Sequence, residues 1–350
     1  MEDIAVMIQT IKTTVIGVHS PYNRVKIADF YSKADNTPQG VEYTRFLVLV
    51  LYLVMVSFFN CSIDKSPLIY NGNAGHNKIL FTSNRSGKDQ LYTMNPDGSG
   101  IQQMSSGQWW HSFGRWSPDG TKIVCNTEEG TTTAGFQMVV MDADGSNRKL
   151  LGYGNQMAWH PDGNVIVFSF APSLEIGIYG IYLYSIKLQD FKRKRLPIDM
   201  EGGNPIFSPS GQSLLFVEPD YIGNPPEPKV NIANFPEMTK IQKLQVFGND
   251  FNWSPDGAYL IFSKREVQAI PNDNLFIIKR DGSNLQRITN NSSNMPYIKP
   301  QWSPGGQKII FLAYSIGYPQ IWNMYMINRD GTNLHKVIDD NSVTSCDWCE

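Results

Sequence analysis

One short motif recurs along this chain at a nearly constant spacing. In its first copy, Trp116 stands directly before the turn sequence Ser-Pro-Asp-Gly (117–120). The equivalent aromatic residues of the later copies are Trp159, Phe207, Trp253, Trp302 and Trp348. Successive copies lie 43 to 49 residues apart, and an internal repeat of that length indicates one supersecondary unit repeated around or along an axis.

The unit between two motifs consists of strands. Each turn is followed by an apolar, β-branched run, of which NVIVFSF (164–170) is typical. A further strand follows, and in several copies it ends in an Asp-Gly hairpin signal, as in LFIIKRDGSN (275–284). Four strands in about 45 residues describe one blade of a β-propeller. We therefore predict an all-β fold of four-stranded antiparallel blades.

The two ends of the repeat region predict how the ring closes. The runs 77–83 and 91–100 read as the second and third strands of a blade that lacks its first. The final stretch 342–350, which contains Trp348, reads as a first strand without a second. Together they make one blade shared between the two termini, which gives six blades and leaves no open sheet edge.

The N-terminal part breaks this pattern. Residues 46–59 form an uncharged, mostly apolar run between Arg45 and Cys61, which suits an export signal and is short for a membrane span. A cysteine after such a run resembles the lipobox of bacterial lipoproteins, which implies lipidation at Cys61; the alternative is a short membrane anchor. We assign 1–44 to a leader or a misassigned start, 45–61 to the export signal, 62–75 to a linker and 76–350 to the propeller.

The repeats also resemble a known family. The sequence WSPDG, followed by an apolar strand and then by MDADGSN (141–147), is similar to the repeat of TolB and its relatives. The resemblance covers about residues 75–350 and implies a six-bladed propeller of the bacterial cell envelope. TolB carries a smaller α/β domain before its propeller, whereas roughly fifteen residues separate Cys61 from the first strand here. A role of the Tol–Pal type is therefore not implied.

The charge of the sequence limits the kinds of binding partner that we expect. The formal net charge is −2, and the densest basic cluster, 192–195, lies inside one repeat, so a nucleic-acid partner is not expected. The expected partners are an envelope protein or a glycan, together with the membrane through a lipid anchor. We expect a monomer without a cofactor, located in the periplasm or at the outer membrane.

The longer connections predict which face binds. Tight turns occupy one face of the propeller, and the long, irregular connections share the other, where binding residues are usually found. The expected ligand-binding residues on that face are Trp109, Trp110, His111, Tyr153, Tyr179, Tyr221, Tyr297 and Tyr318. The polar residues expected at the channel mouth are Gln156, Asn204, Asp250 and Lys299, with His111 and Ser345 as further members. The alternatives are loop packing for the aromatics and plain solvation for the polar residues.

Catalytic motifs are missing from the sequence. Of the five histidines, only His111 is expected near the channel, and one histidine does not make a metal site. We therefore predict no catalytic residue and no metal; the alternative is a metal-assisted polysaccharide lyase or hydrolase that uses the channel. Cys125, Cys346 and Cys349 are expected in strands, either as thiols or with a disulfide among them.

Overall fold

The computed structural model describes residues 76–129, 136–170, 180–186, 194–197, 202–218, 229–266, 272–291, 295–315 and 322–349. These residues form 24 β-strands in six antiparallel sheets of four strands, with no helix among them. Within the same ranges, nothing meets the length and apolarity that a membrane-crossing helix needs. The prediction of six four-stranded blades is confirmed, whereas Cys61 and the apolar run before it lie outside the described residues.

Each of the first three blades is a run of four consecutive strands. Blade 1 contains β4 (His111–Trp116), β5 (Lys122–Thr127), β6 (Gln137–Asp142) and β7 (Lys149–Tyr153). Blade 2 contains β8 (Asn155–Trp159), β9 (Val165–Phe170), β10 (Gly180–Ser185) and β11 (Lys194–Arg195). Blade 3 contains β12 (Gly203–Phe207), β13 (Ser213–Glu218), β14 (Lys229–Asn234) and β15 (Ile241–Leu244).

The remaining blades include the one that closes the ring. Blade 4 contains β16 (Asn249–Trp253), β17 (Tyr259–Lys264), β18 (Asn274–Lys279) and β19 (Gln286–Arg287). Blade 5 contains β20 (Tyr297–Trp302), β21 (Lys308–Tyr314), β22 (Trp322–Asn328) and β23 (His335–Ile338). Blade 6 contains β24 (Val343–Trp348), β1 (Ile79–Ser83), β2 (Gln90–Met94) and β3 (Gln102–Gln103).

The ring is closed without a covalent link between β24 and β1. These strands pair antiparallel, with Phe81 opposite Cys346, and the Thr82 Oγ1 and Ser345 Oγ atoms lie 2.6 Å apart in a buried hydrogen bond. The innermost strand of every blade contacts the innermost strands of both its neighbours, which makes a complete cycle. The predicted blade shared between the two ends of the chain is therefore confirmed.

The repeated aromatic residues fill the wedges between blades. Trp116 is only 6% exposed and packs with Leu80 and Leu91 of blade 6 and with Ile123 of its own blade. The indole Nε1 of Trp159 donates 3.2 Å across to the carbonyl oxygen of Arg115 in the preceding blade. An aromatic at this position therefore joins two sheets at once, which explains why the motif recurs once per blade.

The turn after each aromatic is held by its own side chains. In the first copy, Ser117 Oγ donates to Asp119 Oδ1 at 2.6 Å and accepts a hydrogen bond from the Lys122 amide at 2.8 Å. Gly120 has a φ of 64°, the left-handed region that glycine adopts without steric cost. The motif thus combines a packing residue with a self-contained turn.

The three cysteines in the described ranges are buried thiols. Cys125, Cys346 and Cys349 are all buried, and none of them forms a disulfide there. Burial raises the pKa of Cys346 to about 12 and also raises the pKa of Cys125. Of the two alternatives left open by the sequence, the structure contains the thiols.

Candidate functional site

Five of the six innermost strands carry the same backbone irregularity. In each, the residue three positions before the repeated aromatic has a positive φ of 49° to 55° and lies within a β-bulge. These residues are Phe113, Gln156, Asn204, Asp250 and Lys299. A bulge changes the direction of the side chain it carries, and bulges occur frequently at barrel rims and active sites. These five residues therefore form a ring, with one member on the innermost strand of each of blades 1 to 5.

Four of these five positions were predicted from the sequence, and the fifth was missed. Gln156, Asn204, Asp250 and Lys299 were expected at the channel mouth, and they occupy equivalent positions. In blade 1 the equivalent residue is Phe113, whereas His111 lies two residues earlier and is fully buried. Counting three residues back from Trp116 would have found Phe113. Phe113 is a large apolar residue that is 41% exposed, whereas the equivalent residues of blades 2 to 5 are polar.

The polar members of the ring connect neighbouring blades. Asn204 donates its backbone N–H to Gln156 Oε1 at 2.9 Å, and Lys299 donates its backbone N–H to Asp250 Oδ2 at 3.1 Å. In both cases the acceptor side chain satisfies a backbone donor of the next inner strand. Part of the polar character of these positions therefore stabilises the bulges themselves.

Lys299 is the one cation among these five residues. Its Nζ donates to the carbonyl oxygen of Thr344 at 2.9 Å and lies 4.6 Å from the centroid of the Phe113 ring. Burial lowers the pKa of Lys299, while the nearby Asp250 carboxylate opposes that shift. Phe113 therefore has one face against a cation.

His111 is connected to the Trp109 loop through hydrogen bonds of Gln90. Its Nε2 accepts from the Arg148 guanidinium at 2.7 Å, so its Nδ1 carries the proton and faces Gln90 Oε1 at 3.2 Å. Gln90 in turn donates through Nε2 to the carbonyl oxygen of Trp109 at 2.8 Å. Burial, together with the Arg148 charge, lowers the pKa of His111 to about 4. His111 is therefore fully buried and linked through Gln90 to the Trp109 loop.

A pocket of about 420 Å³ opens beside this loop, between blades 6 and 1. Its lining residues are Lys88, Asp89, Trp110, Ser112, Phe113, Glu128 and Phe136. The connections that supply them, before β2, before β4 and around the start of β6, all lie on the face that carries the long connections. Trp110 packs edge-on against Phe136 with ring centroids 5.3 Å apart. The two rings and Phe113 give the pocket three aromatic walls.

The other predicted aromatics are distributed differently. Trp109 and Tyr153 are half-buried, as is Trp110. Tyr297 is also half-buried, and its ring lies 4.9 Å from that of Phe311 in the core of blade 5. Tyr179, Tyr221 and Tyr318 lie outside the described residues. Of the predicted tryptophan pair, Trp110 is the member that lines the pocket.

The described part of the site contains side chains that could bind a ligand, and it contains no cluster of metal ligands. Across the described ranges, no group of three or more histidine, cysteine, aspartate or glutamate side chains is arranged to hold a metal ion. His111, the single histidine expected near the channel, is engaged by Arg148. What the pocket can supply is aromatic surface, two carboxylates and one ammonium group.

Comparison with known proteins supports this fold. The family model of the TolB beta propeller domain matches residues 59–197, and a search of curated proteins found no significant match. TolB from Acinetobacter baumannii superposes with a TM-score of 0.63 at 18% identity, covering 80% of this chain and 67% of that one. A putative TolB from Agrobacterium tumefaciens gives 0.56 at 18% identity, with 77% and 90% covered.

A more remote propeller has a similar shape. A chain of a nidogen/laminin complex superposes with a TM-score of 0.56 at 7% identity, covering 78% of this chain and 98% of that one. At such identities the likeness shows the fold alone. The resemblance of the repeats to TolB is confirmed at that level: the chain carries a TolB-like six-bladed β-propeller.

Proposed function

From the TolB-like propeller of this chain, we propose that the protein is a non-catalytic binding scaffold of the bacterial cell envelope. It is exported, is lipid-anchored through Cys61, and binds an envelope protein or a glycan through the face that carries the long connections. The family resemblance supports the envelope location, and the lipobox-like segment supports the anchor.

The aromatic pocket is the observation that carries the binding role. Phe113 and Phe136 are 41% and 47% exposed, and together with Trp110 they line one cavity. Exposed aromatic residues clustered in a concave site are typical of surfaces that bind a partner, because they provide large contact area at a low cost in conformational entropy. The strained φ of 54° at Phe113 adds to this, since such backbone strain concentrates at functional sites.

The test is site-specific photo-cross-linking in the full chain. A photo-reactive benzoylphenylalanine replaces Gln108, an exposed residue of the Trp109 loop, and cell-envelope material is irradiated with it. A defined cross-linked product is expected. The Trp109→Ala/Trp110→Ala double variant should weaken binding by on the order of 2 kcal/mol, about 30-fold, because interface energy concentrates in a few tryptophan, tyrosine and arginine residues.

The matched control places the same photo-reactive residue at Leu334, which is 45% exposed on the face of the tight turns. A glycan array probed with the full chain covers a carbohydrate partner. The proposal fails if Leu334 yields the same products as Gln108. It fails equally if the double tryptophan variant, folded by circular dichroism, binds as the parent does.

A further inference from the structure

The charges around the pocket between blades 6 and 1 do not balance. Lys88 Nζ lies 3.8 Å from Glu128 Oε1 and donates to the carbonyl oxygen of Gln108 at 2.6 Å. The same Glu128 oxygen accepts from the backbone N–H of Trp110 at 3.4 Å. Lys88 and Glu128 therefore offset one another, and the Asp89 carboxylate is the charge that remains.

Asp89 is held in the pocket wall without a side-chain counter-ion in the described part of the chain. Its position is fixed through the backbone, because its carbonyl oxygen accepts from the His111 N–H at 2.8 Å. The residue is half-buried, and burial raises the pKa of its carboxyl group, with no opposing charge large enough to lower it. A carboxylate that has lost part of its hydration gains strongly from a cation that enters the site.

Two of the three aromatic walls, Trp110 and Phe136, favour the same kind of ligand, whereas Phe113 already has Lys299 Nζ 4.6 Å from its ring centroid. The faces of tryptophan and phenylalanine rings carry negative electrostatic potential, which attracts ammonium and guanidinium groups. Trp110 and Phe136 meet edge to face at an interplanar angle of 72°, so the two rings close two different sides of the cavity. Asp89 lines a fourth side of the cavity. Aromatic rings combined with one carboxylate are the chemistry of a site for organic cations.

We propose that this pocket binds the cationic end of a lysine or arginine side chain presented by a protein partner. The inference rests on the proposed scaffold function and names the chemistry of its contact. A volume of about 420 Å³ lies near the lower end of the ~300–1,000 Å³ usual for ligand pockets, which suits one long side chain. A neutral sugar would also stack on the rings but would leave the charge of Asp89 without a counter-charge.

The experiment uses the full chain labelled with 5-fluorotryptophan and followed by ¹⁹F NMR, with the Trp110 signal assigned through Trp110→Phe. The probes are the peptide Ac-Gly-Ser-Lys-Ser-Gly-NH₂, its arginine counterpart, its norleucine counterpart and neutral chitobiose. The lysine and arginine peptides should shift the Trp110 signal saturably. The norleucine peptide, which keeps the alkyl chain and lacks the charge, should bind at least tenfold more weakly.

Two aspartate variants separate the pocket from general charge effects. Asp89→Asn should reduce affinity for the lysine peptide at least tenfold and remove the preference over norleucine. Asp281→Asn, an equally small change on the opposite face, should alter neither. If Asp89→Asn fails to fold, the comparison of lysine with norleucine in the parent protein decides the question alone.

Equal binding of the norleucine and lysine peptides would overturn the inference. So would saturation by chitobiose that Asp89→Asn leaves intact, or a Trp110 signal that no cationic peptide moves. Each of these three results is compatible with a cross-link at Gln108 that depends on the tryptophan pair. In that case the scaffold proposal stands and the cation-pocket proposal does not. Conversely, saturable lysine binding without any cross-linked partner would contradict only the scaffold proposal.

Discussion

Replacement of Asp347 tests how the ring is held closed. Its Oδ2 accepts from the backbone N–H of Trp116 at 2.9 Å, and its Oδ1 lies 3.6 Å from Arg115 NH1. The Asp347 side chain is 16% exposed, while that of Arg115 is 34% exposed. The two contacts join the last strand, β24, to β4 of blade 1 across the junction where blade 6 meets blade 1.

The expected loss in the free energy of unfolding depends on which contacts each substitution removes. Asp347→Ala leaves the N–H of Trp116 without its acceptor, which costs about 1–3 kcal/mol, and removes the carboxylate partner of Arg115, whose NH1 also donates to the carbonyl oxygen of Cys346 at 3.0 Å. We expect a total loss of about 2–4 kcal/mol in the free energy of unfolding. Asp347→Asn keeps an oxygen acceptor for Trp116 and loses only the charge. It should change the free energy of unfolding by less than about 1 kcal/mol, because burial raises the pKa of Asp347 and so offsets what its carboxylate gains from Arg115.

Urea denaturation at pH 7, followed by tryptophan fluorescence, measures these differences. Gln301→Ala is the matched control, because Gln301 occupies the equivalent position before a repeated aromatic and accepts from Asn252 between blades 4 and 5. Those two blades are consecutive in the chain, so the control should cost less than Asp347→Ala. A free energy of unfolding for Asp347→Ala that lies within about 0.5 kcal/mol of the parent value would refute the reasoning. Equal losses for the alanine and asparagine variants would refute the assignment to the hydrogen bond.

Three further predictions concern the site and the anchor. Phe113→Asn should leave stability unchanged or raise it by about 0.5–1 kcal/mol, because asparagine tolerates a φ of 54° better, and should weaken partner binding; thermal melts and the cross-linking assay check both. With the pKa of His111 lowered from 6.5 to about 4, its contribution is present above pH 6.5 and is lost as the pH falls to 4; urea titrations should show about 3 kcal/mol of acid destabilisation that His111→Gln removes. Cys61→Ala should abolish metabolic lipid labelling and move the protein to the soluble fraction, and a variant that stays membrane-bound would identify 46–59 as a retained anchor.

The sequence determined the architecture because each blade repeats the same local signals. The aromatic before Ser-Pro-Asp-Gly marks the end of an innermost strand, and the turn that follows is closed by its own side chains, as Ser117 and Asp119 show. These interactions are short-range, so they can be recognised without knowing the rest of the fold. The strand fragments at 77–83 and 342–350 then sufficed to count six blades and to predict the shared one.

The tertiary structure decided the content of the site. The repeat does not constrain the long connections, so the sequence could not show that His111 turns inward to Arg148 or that Phe113 takes the bulge position of blade 1. Phe113 lies within the bulge of β4, and a bulge changes the direction of the side chain that it carries.

The pocket itself required contacts between distant parts of the chain. Its walls come from the connection before β2, from the Trp110 loop and from Phe136 at the start of β6, which belong to two different blades. The charge left on Asp89 follows from a pairing of Lys88 with Glu128, forty residues further along the chain. Which charges cancel depends on distances of a few ångströms, because Coulomb energies and desolvation change steeply at that range. The strand pattern carries no information about such distances.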